Sequence, residues 1–178
     1  MKSLKLTISA LALVAMLSVN AFAQTFDSDN VSAKAVIVGS IAVTNVADLD
    51  FGSIITAATP TIAATDAEAG AVKVAGATTG TTMNVSIVYP ATLTDGTPAN
   101  DLTFATYTAA VTASGDDATP GNGVALTGAS TVGQTITGTY TSGADEAHIF
   151  VGGQISDASK GVAGNSYAND IVVTVDYN

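Results

Sequence analysis

Fifteen carboxylates, one histidine and no cysteine are the reactive inventory of this 178-residue chain. His148 falls in the alternating run Ala147-His148-Ile149-Phe150-Val151. Alternation puts Ala147, Ile149 and Val151 on one strand face and His148 on the other, so the histidine is expected to face solvent. The alternative is a metal or acid–base role beside Asp145 and Glu146, but one imidazole without a thiolate is a poor transition-metal set. Carboxylates recur as pairs at Asp27/Asp29, Asp48/Asp50, Asp66/Glu68 and Asp116/Asp117. Their oxygens suit calcium, yet no pair extends into the acidic series, internal glycine and closing glutamate of an EF-hand loop. Glycoside cleavage needs two acids across a sugar-sized cleft, and the chain has no tryptophan to build a sugar platform. Lys34, Lys73 and Asn84 are available for a lysine–asparagine cross-link, without any spacing that supports one. Gly121-Asn122-Gly123 lacks the helix and lysine of a phosphate loop, and Gly152-Gly153 reads as a bulge or close backbone approach. The sequence therefore assigns no catalytic residue, cofactor or metal, and a non-enzyme is expected.

The elements that would position these residues are strands. In 81–89, Met83, Val85, Ile87 and Tyr89 share one face, with Thr82, Asn84 and Ser86 on the other. The last segment repeats this with Ile171, Val173, Val175 and Tyr177 on one side. In 134–141 a threonine ladder, Thr135, Thr137, Thr139 and Thr141, faces water while Ile136 and Tyr140 point inward across Gly138. Further strands are expected at 31–38, 40–46, 71–75, 102–112 and 146–155. Turn chemistry such as Asp95-Gly96-Thr97-Pro98 and Thr119-Pro120-Gly121-Asn122-Gly123 separates them. Seven or eight such strands without a strong amphipathic helix predict an all-β fold, an Ig-like antiparallel β-sandwich. The Ala-rich stretch 57–70, bracketed by Pro60 and Gly70, reads as a loop.

Lys2 and Lys5, the apolar run Leu6 to Val19 and the small-x-small site Ala21-Phe22-Ala23 predict a signal peptide over 1–23 and an exported mature chain. Residues 24–30 are expected to form a flexible N-terminal arm, and 31–178 a single sandwich domain. No later apolar run approaches the roughly 20 residues that span a bilayer, so no transmembrane anchor is expected in the mature chain. After residue 23 only Lys34, Lys73 and Lys160 stand against the fifteen carboxylates, a net charge near −12. That balance removes the electrostatic footprint for nucleic acid or anionic lipid. Without cysteine, stability must come from packing and backbone pairing.

Three segments, Asp48-Leu49-Asp50-Phe51-Gly52, Ile149 to Ile155 with Gly152-Gly153, and Ala163-Gly164-Asn165-Ser166-Tyr167, lie in this order along the chain. In order and spacing the chain resembles the DUF4402 family of exported bacterial proteins, itself similar in pattern to spore coat protein U and archaic chaperone–usher pilin subunits. The resemblance implies a β-sandwich in the periplasm, at the cell surface or outside the cell, with no established catalysis. It also implies partners: other surface subunits or copies of itself, a periplasmic chaperone and an outer-membrane usher. On physical grounds the motif residues are fold-making: Leu49 and Phe51 anchor a strand end, Asp48 and Asp50 stay exposed, and Gly52 turns the chain. Gly152 and Gly153 are expected to relieve crowding where the sheets approach, and Tyr167 to cover the core edge.

Val31, Ala33, Ala35 and Ile37 alternate as a strand-exchange segment would. The pilin-like resemblance turns this into an expected function, a non-catalytic structural subunit assembling by β-strand complementation. The alternative is a monomeric binding module that recognises a glycan or surface protein through loops such as 91–101 and 114–123.

Overall fold

The computed structural model describes residues 38–115 and 117–178. The leader, the arm and the segment Val31 to Ile37 lie outside the described residues. β-Branched and aromatic residues at alternate positions form ten strands: β1 (Ala42–Ala47), β2 (Thr61–Ile62), β3 (Gly70–Ala75), β4 (Thr82–Val88), β5 (Thr92–Leu93), β6 (Leu102–Thr112), β7 (Thr127–Val132), β8 (Thr135–Thr141), β9 (Glu146–Asp157) and β10 (Val172–Tyr177). They make two antiparallel sheets, one in the order β1-β3-β9-β6-β5 with β2 also paired to β9, the other β10-β4-β8-β7. The expected all-β sandwich is thus the architecture, with ten strands among the described residues where seven or eight were expected in all. β2 and β5 have two residues each, too few to show a period, and β7 (Thr-Gly-Ala-Ser-Thr-Val) has little apolar alternation. Pairing with a neighbour makes these three strands. The only helical turns among the described residues are 3₁₀ turns at Pro98–Asn100 and Pro120–Asn122, and no helix among those residues is long and apolar enough to cross a membrane.

The inner faces interdigitate as the alternation predicts. Met83, Val85, Ile87, Ile136, Tyr140 and Val175 of the smaller sheet pack on Val74, Val111, Ile149, Val151 and Ile155 of the larger. The larger sheet is also covered outside, which the sequence did not reveal. β2 pairs Thr61 and Ile62 with Gln154 and Gly153, and β3 resumes beside the same strand at Gly70↔Val151. β2 and β3 are therefore two parts of one strand, interrupted by an excursion over residues 63–69. Asp66 closes it: Ala63 N donates to Asp66 Oδ2 at 2.7 Å and Asp66 N to Ala63 O at 3.0 Å. The excursion crosses the outer face of β9 to β6, where Ala64 N donates to Thr108 Oγ1 at 3.0 Å. Beneath it Ile62, Ala64, Ala69, Ala71, Ala110 and Phe150 form a second small core.

β9 is buried on both faces as a result, and the expectation for His148 is overturned. The histidine is 2% exposed and lies flat against Phe150, with ring centroids 6.3 Å apart and planes 15° apart. Alternation assigned it correctly to the face opposite Ile149. What period-two patterning could not show is that loops cover that face.

The two glycines of β9 also have a different role from the expected one. A Cβ on Gly152 would run into Ile62 O and come within 2.6 Å of Ala63 C and Ala64 N, and one on Gly153 would lie 2.5 Å from Phe104 Cζ. The crowding comes from the crossing excursion and from a ring on the neighbouring strand of the same sheet, not from the opposing sheet. Thr106 and Tyr107 bulge out of β6 between the pairs Ala105↔Gln154 and Thr108↔Gly152. Thr106 takes a left-handed φ of 54° there, a strain of about 1–2 kcal/mol for a residue with a Cβ. Replacing Gly152 by alanine collides with backbone, which cannot rotate away. Gly152→Ala should cost about 3 kcal/mol or more, and Gly153→Ala less because the Phe104 ring can shift. Urea denaturation of the two variants measures the difference.

Candidate functional site

Phe104 joins two of the three sequence motifs. Its ring occupies the space left by Gly153 and meets Phe51 edge-on at 5.9 Å. Tyr89 and Tyr107 complete the aromatic group, stacked on each other at 4.6 Å. Burial pushes the Tyr89 phenol well above its ordinary value, and its hydroxyl donates to Thr108 O at 2.6 Å. Leu49 and Phe51 are half-buried and pack on both cores, while Asp48 and Asp50 are exposed as expected. Asp48 Oδ1 accepts from Asn45 Nδ2 at 2.7 Å, and Asp50 Oδ1 from Gly52 N at 2.8 Å. Gly52 turns the chain at φ +60°, the left-handed region open to glycine.

From this end the segments around Phe51 and Tyr167 enclose a cleft of about 500 Å³, floored by Leu49, Leu93 and Leu102. Tyr167 lies at the core edge as expected, and its hydroxyl accepts from Val162 N at 2.7 Å. Gly164, at φ +87°, makes the turn between them. The residue that fixes this loop was not singled out by motif reasoning: Asp95. Its carboxylate accepts from Thr97 N at 2.8 Å, Asn100 Nδ2 at 2.9 Å and Asn165 Nδ2 at 2.6 Å. The signal was present in Asp95-Gly96-Thr97-Pro98, which reads as an Asx turn, but the reach to Asn165 is tertiary. Thr94 and Ala168 exchange backbone hydrogen bonds at 3.1 and 3.0 Å, and Asn169 Nδ2 donates to Thr92 O at 3.0 Å. Comparison of this chain with family models, characterised proteins and solved structures finds no match.

The four sheet edges differ in how open they are to another strand. β1 is interrupted by a bulge between Asn45 and Ala47, β7 by one between Thr127 and Ser130, and β5 is short and bridged by Ala168. β10 keeps an unbroken six-residue register with β4, from Val172↔Val88 to Tyr177↔Met83. No strand among the described residues pairs with its other side. It contains neither proline nor glycine, and its single charge, Asp176, accepts a hydrogen bond from Asn84 Nδ2 at 2.9 Å. Bulges, brevity and covering loops are the ways sheets protect edges, and among the described residues β10 has none of them. Its last residue also holds the start of the described chain, because Tyr177 Oη donates to Gly39 O at 2.7 Å.

Hydrogen bonds from Asn100 and Asn165 hold the Asp95 carboxyl below its ordinary range. A carboxyl depressed in the folded state stabilises it above the unfolded value of about 3.9, and that contribution fades as pH falls through the lower folded value. Protection of the Asn165 and Ala168 amides, taken relative to the intrinsic exchange rate at each pH, should be high at pH 5 and fall only below about pH 4. Asp95→Ala should give low protection at every pH, measured by hydrogen–deuterium exchange.

Proposed function

We propose that the protein is a non-catalytic, exported structural subunit that assembles by adding an extended segment of one copy to the open β10 edge of the next. The observation that carries this reading is the regular edge of β10, whose outer side pairs with no strand among the described residues. Main-chain pairing along such an edge supplies affinity, and alternate side chains supply register. Val31, Ala33, Ala35 and Ile37 have the required alternation, and Gly39, two residues further on, accepts from Tyr177 Oη at the end of β10. The resemblance to DUF4402 and pilin-like proteins supports the same reading, and with it a location at the cell surface and a chaperone and usher as assembly partners. The exposed carboxylates also fit it, since those held below their ordinary range, Asp95, Asp117 and Asp157, accept hydrogen bonds within turns.

The chain has no cysteine, so a pair introduced as Ala33→Cys and Thr174→Cys reports pairing directly. Non-reducing electrophoresis of sheared surface material should show a ladder that collapses on reduction, and electron microscopy should show fibres that vanish on deleting residues 24–37. A cross-link confined to the monomer would mean that the segment completes its own domain. Uniform uncross-linked monomers would remove strand addition at β10.

A further inference from the structure

The cleft at the motif end has the chemistry of a small-molecule site, and we infer that it binds an uncharged saccharide unit. This inference rests on the lining of the cleft and not on assembly through β10. Its volume of about 500 Å³ lies within the range of ligand pockets, roughly 300–1,000 Å³. Phe51 and Tyr167 give it aromatic surface, and Ser53, Thr56, Asn165 and Ser166 give hydroxyl and amide groups. A sugar ring needs this combination, an apolar surface for its C–H face and neutral donors and acceptors for its hydroxyls.

Charge narrows the class. No lysine lines the cleft and Asp50 does, within a chain of formal net charge −10, so sulfated, phosphorylated or carboxylated ligands are repelled. An extended peptide is disfavoured for a different reason. The nearest sheet edge, β5, is already bridged by Ala168 and capped by Asn169, so no open backbone remains there for strand addition. The walls are held before any ligand arrives: Asp95 fixes Asn165, Val162 N fixes the Tyr167 hydroxyl, and Asp50 fixes the turn at Gly52. Walls ordered in advance reduce the entropy that binding must overcome.

The test uses the purified full chain on an array of uncharged oligosaccharides of glucose, galactose, mannose and N-acetylglucosamine, with sulfated and sialylated counterparts and uncharged apolar peptides alongside. Binding to one or more uncharged saccharides is expected. Thr56→Ala with Ser166→Ala removes two hydroxyls that hold no loop hydrogen bond among the described residues, so it should leave thermal unfolding unchanged and weaken binding about tenfold or more. Tyr167→Ala should abolish binding, and Thr137→Ala on the other sheet should leave it intact. Binding only to acidic glycans or peptides, no binding at all, or saccharide binding indifferent to the Thr56/Ser166 double variant would each overturn the inference.

Discussion

The absence of side chains at Gly152 and Gly153 is the constraint on which the rest of the molecule depends. β9 is the central strand of the larger sheet, and at these positions two bodies approach its backbone from opposite faces. On the outer face the 63–69 excursion crosses to β6 and seals a second core over Phe150. On the inner face the Phe104 ring lies against Gly153 and organises Phe51, Tyr89 and Tyr107. The link continues to the smaller sheet, because Thr108 accepts from Ala64 N on one side and from the Tyr89 hydroxyl on the other. One pair of missing Cβ atoms thus couples the outer cover, the bulge in β6 and the aromatic end of the sandwich.

A chain without disulfides must hold its loops by other means, and here the carboxylates do so. Lys73–Glu146, at 2.5 Å, is the ion pair among the described residues, and a half-exposed pair contributes little. Asp66, Asp95, Asp117 and Asp157 instead accept backbone and amide hydrogen bonds from residues close by in sequence. Each converts a solvated acid into a turn fastener at no cost in burial, so the chain keeps its strongly acidic surface and its ordered loops together. Asp95 goes furthest, since it also spans seventy positions to Asn165.

The molecule has two distinct surfaces to which function can be attached. β10 offers backbone groups along a regular edge, while the loops around Phe51 and Tyr167 offer a shaped cleft without a basic residue. The physics of the two differs. Edge pairing draws on main-chain hydrogen bonds and is largely indifferent to side-chain identity, whereas the cleft depends on particular hydroxyls and rings. Neither kind of contact needs a catalytic group.

What the sequence determined by itself was the set of long strands and their inward faces. Met83, Val85, Ile87, Ile136, Tyr140 and Ile149 are buried as alternation required, because period two is a local property of extended backbone. It also determined the turn at Gly52 and the exposure of Asp48 and Asp50, which need only neighbouring residues. The short strands β2 and β5, the burial of His148 and the true neighbours of Gly152 and Gly153 were decided by tertiary structure. Each depends on a segment distant in sequence: the excursion after Ile62 covers β9, Phe104 fills the gap at Gly153, and Asn165 reaches Asp95. Only the folded chain brought the motif residues Phe51 and Tyr167 around one cleft and left β10, among the described residues, without a second partner strand. Alternation reports which way a side chain points; what it meets there is set by the rest of the chain.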